Sequence, residues 1–245
     1  MKALIVAHGQ PSDPLPAEAA LAALAARVAV HLPGWQVGSA TLAAPGALAA
    51  AVARLGPGGR TFPLFMAGGW FVRTHLPARL AEAGGRDWVV LEPLGCDEAV
   101  QELAVTLVAE ALVAQKLVAE AGPVDSVLVA AHGSGRSSVP AAIARHLAAR
   151  IKARTGIARV EAAFIDQSPQ LAEAFGHGPQ SLCLPFFAAE GGHASDDLPR
   201  ALKLAGFQGR VLPALGLDPG LPELIARAIL AGVPVCAQDC RWKRP

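Results

Sequence analysis

The chain has 245 residues, of which 53% are hydrophobic and 17% charged, so it is long and apolar enough to bury a large core. Lys and Arg total 21 and Asp and Glu total 20, a near-neutral balance that exerts no general attraction on nucleic acid or on an anionic membrane. We therefore expect neither as a partner, and we expect any anionic ligand to be bound by local groups.

The apolar runs argue against membrane insertion. A membrane-spanning helix needs about 20 consecutive apolar residues, and the stretch that comes closest, 99–121, is interrupted by several polar and charged side chains. The first apolar run, 2–7, is too short for the core of a signal peptide and predicts a strand. These patterns predict a cytoplasmic protein.

The remaining runs alternate between short apolar segments and longer, amphipathic segments rich in Ala and Leu. In chain order they predict strand 2–7, helix 16–31, strand 36–42, helix 45–55, strand 60–66, helix 75–84, strand 87–92, helix 97–121, strand 125–131, helix 138–154, strand 158–165, helix 168–175, strand 180–187, helix 196–205, strand 209–213 and helix 220–231. Strand–helix alternation with nearly continuous apolar strands is typical of an α/β fold whose parallel sheet is covered on both faces.

The two halves of the chain repeat each other. The segment Leu4–Gly9 recurs as Leu128–Gly133, and Pro63–Gly69 recurs as Pro185–Gly192 with one residue added. The offset is 124 residues between His8 and His132 and 122 residues between Pro77 and Pro199. Ordered matches at a nearly fixed offset indicate an internal duplication. We predict two similar Rossmann-like subdomains with parallel sheets, covering 1–122 and 123–245.

Chemically active side chains follow the strands of the second half. His132, Asp166 and His193 come after its first, second and third strands, and the carboxyl ends of parallel strands share one edge of a sheet. Two imidazoles and a carboxylate suit a divalent first-row metal, and imidazole also titrates near neutral pH. The three residues are candidate metal ligands, with His132 and His193 also catalytic. Alternatively, the histidines lie in idle turns and Asp166 starts a turn or caps a helix.

The loop 133–138 admits a second interpretation. It resembles a dinucleotide-binding fingerprint, but Ser138 replaces the third glycine, and Glu161 comes later than the usual spacing of about 20 residues. Nucleotide binding is therefore the less favoured hypothesis. The amides and hydroxyls of the loop, together with Arg136, are also suited to binding a carboxylate at a helix N-terminus.

The four cysteines, Cys96, Cys183, Cys236 and Cys240, are too scattered to predict a disulfide framework. Cys236 and Cys240 lie close together near the end of the sequence, but two thiols are too few for a closed metal site. We interpret them as an incidental pair, with a bridge between two chains as the alternative.

These motifs resemble those of the sirohydrochlorin chelatases, the cobalt- and iron-inserting class II chelatases related to ferrochelatase, in the long form with two fused repeats. The repeat of that family opens with a strand ending in His-Gly-Ser, as at 132–134, and continues with a strand ending in an acid near a proline. A later family segment, Pro-x-Phe-x-x-x-Gly-x-His-x-x-x-Asp-Ile-Pro, is matched by 185–199, with Leu198 in place of the isoleucine.

The resemblance implies that His132, Asp166 and His193 hold the metal. The family more often has Glu where Asp166 stands, and the shorter side chain reaches less far. The corresponding residues of the first half are an imidazole, a methyl group and a phenyl ring, namely His8, Ala43 and Phe71. Because the last two cannot bind a cation, the first-half site is expected to be degenerate.

The first half also has an aromatic segment, Trp70-Phe71-Val72. We expect it either to present an apolar surface to the face of a macrocycle or to pack as a loop on the core. His75 stands where the family has the Asp before Ile-Pro, and we assign it no metal.

The resemblance implies a lyase-type chelatase that inserts Co²⁺ or Fe²⁺, with Ni²⁺ as an alternative, into sirohydrochlorin during cobalamin or siroheme biosynthesis. The metal is then a substrate, and no organic cofactor is expected. His132 and His193 would share metal delivery and proton acceptance, and the substrate would be bound by Ser134, Arg136, Ser137, Gly191 and Gly192. The alternative is a tetrapyrrole- or metal-binding protein without turnover. A fused duplication can close a cleft within one chain, so a monomer is favoured.

Overall fold

The computed structural model describes residues 1–116, 122–189, 196–237 and 240–243. The chain forms two compact units, Met1–Asp97 with Pro219–Arg241 and Glu98–Asp218 with Trp242–Pro245. Each unit contains a four-stranded parallel sheet flanked by helices. The predicted α/β class and the internal duplication are confirmed.

All eight predicted strands are present. They are β1 (Lys2–Ala7), β2 (Gln36–Thr41), β3 (Gly59–Pro63), β4 (Trp88–Val90), β5 (Ser126–Ala131), β6 (Arg159–Phe164), β7 (Ser181–Pro185) and β8 (Arg210–Val211). The α-helices are α1 (Pro14–Val30), α2 (Ala47–Leu55), α3 (Leu76–Glu82), α4 (Glu98–Lys116), α5 (Val139–Thr155), α6 (Leu198–Leu204) and α7 (Leu221–Ala231). The prediction of a helix over 97–121 extends into 117–121, which lie outside the described residues.

The helix predicted over 168–175 was wrong. The segment contains only a single 3₁₀ turn, Leu171–Glu173. The carbonyl of Pro169 accepts a hydrogen bond from the N–H of Phe164 on β6, at 3.0 Å. This bond involves the backbone at the point where the predicted helix would begin. Pro169 also has no N–H to contribute to a helical ladder.

In the first unit the sheet order is β2-β1-β3-β4. One face packs against α2 and α3 and contributes a buried apolar cluster that includes Leu4, Val6, Leu48, Val52, Leu76, Leu80 and Trp88. On the other side of the sheet, α1 packs against α7. The central strand β1 is buried throughout Ala3–Val6, as its unbroken apolar sequence predicts.

In the second unit the sheet order is β6-β5-β7-β8, the same arrangement one repeat later. Helices α4 and α5 pack against each other and against the sheet. The opposite face packs against α6 and the 3₁₀ turn, and its buried cluster includes Leu128, Ala130, Leu171, Cys183, Phe187, Leu198 and Leu202.

The last helix of each sequence half belongs to the other unit. Helix α4 lies in the second unit, and α7 lies in the first. The guanidinium of Arg60 on β3 fixes the end of α7, since it donates hydrogen bonds to the carbonyls of Ile229 and Leu230. The compact units thus follow the sequence repeat in their sheets but not in these helices, and the repeat boundary near 122 stays a prediction.

The amino-terminal edge of the second sheet holds a buried polar network. The ring of His177 is fully buried, with Nδ1 3.1 Å from the Ser126 hydroxyl and Nε2 2.8 Å from a Glu161 carboxylate oxygen. Arg159 donates to the same carboxylate oxygen at 2.7 Å. Partial burial of the Glu161 carboxyl opposes ionisation, but the hydrogen bonds from Arg159 and His177 outweigh it, so the pKa of Glu161 lies below its ordinary value.

Glu161→Gln is expected to change how stability depends on acid. The pKa of Glu161 is lower in the folded state than in the unfolded chain. The carboxylate therefore stabilises the fold at pH values above the ordinary pKa of a glutamate. This stabilisation is lost as the pH falls through the lower pKa of the folded state. The Glu161 side chain is 41% exposed, so Glu161→Gln should lower the free energy of unfolding at neutral pH by at most about 1 kcal/mol. Urea unfolding at a series of pH values measures it, with the exposed Glu173→Gln as the control. An unchanged acid slope in Glu161→Gln would contradict the assignment.

The thiols of Cys96 and Cys240 pair with each other in the first unit, where both side chains are buried. Their mutual hydrogen bond and the burial raise the pKa of Cys96 far above its ordinary value. Arg241 holds this part of the chain in place by donating to the Cys96 carbonyl at 3.0 Å and to Glu92 at 2.9 Å. Cys240 is therefore paired with a distant thiol, which its spacing from Cys236 did not indicate.

No helix in the described part of the chain combines the length and the apolar character needed to cross a membrane.

Candidate metal centre

The first two strands of the second sheet converge at their carboxyl ends. His132 is the first residue after β5, and its carbonyl accepts hydrogen bonds from the N–H groups of Ile165 (3.1 Å) and Asp166 (2.8 Å). These bonds hold the loop after β5 beside the loop after β6. His132 and Asp166 consequently lie side by side, at the sheet edge where parallel α/β folds bind ligands.

Gly133 is required by this close approach. Its φ is 77°, in the left-handed region, and a Cβ there would lie 2.7 Å from Cγ of Gln167 and 2.8 Å from Cβ of Phe164. Neither neighbour is a free end that could simply swing away. The His-Gly pair that marks the repeat is thus a packing requirement as well as a chemical motif.

The imidazole of His132 is oriented by its neighbours. Nδ1 lies 3.1 Å from the Gly133 carbonyl oxygen and 3.6 Å from an Asp166 carboxylate oxygen. A carbonyl only accepts, so Nδ1 carries the proton, and in that tautomer the lone pair is on Nε2. The side chains are 37% and 55% exposed, respectively, so ions can reach them. This arrangement leaves the lone pair of Nε2 directed away from both neighbours and places the Asp166 carboxylate on the Nδ1 side of the ring.

The predicted substrate-binding residues of the next loop are ordered by local hydrogen bonds. The Ser134 N–H donates to the Gln167 side-chain oxygen at 2.8 Å, and the Ser134 hydroxyl accepts from the Arg136 N–H at 3.2 Å. The Ser137 hydroxyl accepts from the Val139 N–H at the start of α5, at 3.3 Å. The Arg136 side chain is exposed. Gln167 was missed by the sequence analysis, although it directly follows Asp166.

The third strand leads towards the same edge. Its hydrogen bonding to β5 continues beyond Pro185, where the Phe186 N–H donates to the Ala130 carbonyl at 2.8 Å. His193, Gly191 and Gly192 lie outside the described residues. Within the described ranges, no group of three or more His, Cys, Asp or Glu side chains is arranged to hold a metal ion. The three-residue ligand set therefore stays a prediction.

The loops after β1 and β2 in the first unit share the backbone bonding of the loops after β5 and β6, but their side chains differ. The Ala43 N–H donates to the His8 carbonyl at 2.8 Å, just as Asp166 does to His132. The Phe71 ring lies 4.9 Å from the His8 ring, measured between centroids. Ala43 is thus bonded to His8 through its backbone and Phe71 through its ring, and neither side chain can bind a cation. That this is a degenerate metal site stays a prediction.

The aromatic segment is only partly exposed. Trp70 is 53% exposed and Phe71 is half-buried, whereas Val72 is completely buried. For Val72, the second of the two expected alternatives holds, because its side chain packs in the core. His75 stacks on Trp70, with ring centroids 5.0 Å apart.

The chain is similar to known proteins over most of its length. The sequence profile of the CbiX family matches residues 126–231. A solved structure of CbiX, described as the terminal enzyme for biosynthesis of siroheme in denitrifying bacteria, is 44% identical. The alignment covers 95% of this chain and 100% of that one, with a TM-score of 0.85. No curated protein sequence matches the chain.

Two more distant structures share the fold. SirB from Bacillus subtilis with Fe³⁺ is 17% identical, with a TM-score of 0.68, and the alignment covers 94% of this chain and 93% of SirB. The sirohydrochlorin chelatase SirB from Bacillus subtilis subspecies spizizenii, in complex with cobalt, is 16% identical, with a TM-score of 0.66 and coverage of 95% and 93%. At this level of identity the likeness is one of fold.

Proposed function

The chain belongs to the CbiX family, and from this premise we propose that it is a chelatase that inserts a divalent metal ion into the tetrapyrrole sirohydrochlorin. The observation that carries the proposal is the 44% identity to CbiX over the whole of that chain. Support also comes from the position of His132 and Asp166, at the sheet edge where this class of fold binds its ligands.

We propose Fe²⁺ as the metal and siroheme formation as the reaction. The 44% identical relative is described as the terminal enzyme of siroheme biosynthesis, and siroheme is the iron complex of sirohydrochlorin. Imidazole accepts Fe²⁺, Co²⁺ and Ni²⁺ alike, so the ligand type alone does not discriminate between them.

The chemistry assigns two tasks to the histidines. Insertion breaks two pyrrole N–H bonds and forms metal–nitrogen bonds, so two protons leave the macrocycle as one divalent ion enters. We assign metal delivery and proton acceptance to Nε2 of His132 and to the imidazole of His193. The first unit supports this pairing, because the corresponding residues His8 and Phe71 have their rings in contact.

Asp166 is assigned the role of a positioning residue. It faces Nδ1 of His132 at 3.6 Å, and a carboxylate on that side holds the ring in the orientation that presents Nε2. Asp166→Asn is expected to lower the insertion rate by about 10- to 100-fold. Asp166→Glu, which restores the carboxylate, should retain most of the activity.

The rate of sirohydrochlorin metallation, followed by absorbance at varied concentrations of the macrocycle, measures both variants. Because Asp166 acts through the orientation of His132, Asp166→Asn should lower kcat while the KM for the macrocycle stays close to that of wild type. The control is Asp125→Asn, an exposed aspartate just before β5. An unchanged kcat in Asp166→Asn would rule out the positioning role.

The proposed function is tested with the purified protein, metal-free sirohydrochlorin and a panel of Fe²⁺, Co²⁺ and Ni²⁺. The expected result is metallation well above the rate without protein, fastest with Fe²⁺. Fastest insertion of Co²⁺ would overturn the choice of metal but not the reaction. Tight binding of metal or macrocycle without any acceleration would instead indicate the non-catalytic binding protein.

A further inference from the structure

Gln167 is a residue of the candidate site that the proposed mechanism does not use. It follows Asp166 in the loop after β6, and its side chain is half-buried. The side-chain oxygen of Gln167 accepts a hydrogen bond from the Ser134 N–H at 2.8 Å, although the two residues are 33 positions apart in the sequence. A side chain of one loop therefore holds the backbone of the other loop, next to the imidazole of His132.

The Ser134 N–H and the Gly133 carbonyl belong to the same peptide bond, which is a rigid plane. This peptide bond is trans, so the two groups point in opposite directions. On the carbonyl side, the Gly133 oxygen lies 3.1 Å from Nδ1 of His132. The plane is thus bonded on both sides, to His132 through its carbonyl and to Gln167 through its N–H.

Gly133 does not by itself fix the orientation of this plane. It has no Cβ, and its φ of 77° lies in a region where glycine has more conformational freedom than any other residue. If the plane turned over, the Ser134 N–H would face Nδ1 of His132 in place of the carbonyl. Nδ1 would then have to accept a hydrogen bond, and the proton of the neutral ring would move to Nε2.

The first unit has no acceptor at the corresponding position, where Ala44 stands in place of Gln167. The backbone bonds define this correspondence, because the Ala43 N–H donates to the His8 carbonyl at 2.8 Å. Asp166 makes the same bond in the second unit. A methyl group cannot hold the N–H of the neighbouring loop. The acceptor side chain is therefore missing from the half that also lacks the carboxylate.

We propose that Gln167 is a positioning residue, which holds the carbonyl of the Gly133–Ser134 peptide towards His132 and thereby keeps the lone pair of the ring on Nε2. Its importance for the reaction rests on the proposed function, in which that lone pair holds the metal. In the other tautomer Nε2 carries a proton and cannot bind a cation. Gln167 acts through the peptide plane and is not itself a ligand.

The direct test is the tautomer of His132 in the metal-free protein, measured from ¹⁵N–¹H correlation spectra of the imidazole nitrogens at alkaline pH. The His132 signals are identified by their loss in His132→Ala. Gln167→Met keeps the length of the side chain but removes its oxygen. It should convert the single Nδ1–H tautomer of wild type into a mixture, since Asp166 still favours a proton on Nδ1. Gln167→Glu, which keeps an oxygen acceptor, should retain the wild-type tautomer.

The kinetics of sirohydrochlorin metallation provide a second measurement. Gln167→Met should lower kcat about tenfold, as expected for the loss of a group that orients a metal-binding histidine. The KM for the macrocycle should stay within about twofold of wild type, because Gln167 does not contact the macrocycle in this mechanism. Gln167→Glu should retain most of the activity. Gln208→Met is the matched control, since Gln208 is exposed and precedes β8, at the opposite edge of the same sheet.

The two measurements separate this inference from the proposed function. A wild-type tautomer in Gln167→Met would overturn the inference, and so would an unchanged kcat in a protein that metallates sirohydrochlorin. If the wild-type chain does not metallate sirohydrochlorin at all, the proposed function fails. The spectra of the metal-free protein then still decide whether Gln167 sets the tautomer of His132.

Discussion

Replacing His132 with alanine is expected to lower the rate of metal insertion by about 100-fold or more, the usual effect of losing a group that moves a proton or holds a reacting ion. The Nδ1 side of the ring lies against the Gly133 carbonyl and Asp166. In the proposed function the lone pair of Nε2 would hold the metal and, once the metal has passed to the macrocycle, receive a pyrrole proton. Alanine removes both functions together. Absorbance-monitored metallation of sirohydrochlorin, at saturating macrocycle and varied metal, is the measurement.

His193→Ala should have an effect of similar size, because the resemblance assigns the second imidazole to that position. His31→Ala is the control, since His31 is an exposed residue at the end of α1. A His193→Ala variant as active as wild type would refute the two-histidine mechanism.

Replacing Gly216 with alanine is expected to lower the free energy of unfolding by about 3 kcal/mol, at the upper end of what overpacking usually costs. A Cβ at this position would overlap the backbone carbonyl of Ala188, which follows β7. The Gly216 N–H also donates to the Phe187 carbonyl at 2.9 Å, so the two segments cannot separate without losing that bond. Urea unfolding monitored by circular dichroism measures the change.

The corresponding glycine of the first unit provides a second test of this close approach between backbone segments. Gly95 in the first unit corresponds to Gly216, since its N–H donates to the Phe65 carbonyl at 3.1 Å and its Cβ would overlap the carbonyl of Met66. Gly95→Ala should therefore be destabilising to a similar degree. Gly178→Ala is the matched control, because a Cβ there meets nothing within 4 Å. If Gly216→Ala were as stable as Gly178→Ala, the close approach would not be a constraint.

Much of the fold could be predicted from the sequence because it depends on neighbours along the chain. Unbroken apolar runs such as Leu128–Ala131 form buried central strands, and amphipathic runs such as 139–155 form the helices that cover them. The helix predicted over 168–175 failed for a non-local reason, since the Pro169 carbonyl is bound by the Phe164 N–H on β6. A periodic pattern does not reveal that competing bond.

The candidate site, like the fold, could be predicted only in part from the sequence. The sequence indicated His132 and Asp166, since polar residues that directly follow parallel strands are expected at one edge of a sheet. It did not indicate that Asp166 would face Nδ1 of His132, nor that Gln167 would bind the Ser134 amide. Those contacts depend on side-chain directions in two different loops, which spacing along the chain does not define.

The sequence by itself determined the order of strands and helices along the chain, the duplication, and the places of His132 and Asp166 directly after their strands. These features depend on local patterns and on matches between the two halves. Only the tertiary structure decided that α4 and α7 belong to the opposite units and that Cys96 pairs with Cys240. Only the tertiary structure brought Trp70 and His75 into a stack. These features depend on packing between segments that are distant in sequence, or on a turn of unusual pitch. The periodicity of apolar residues along the chain carries no information about either.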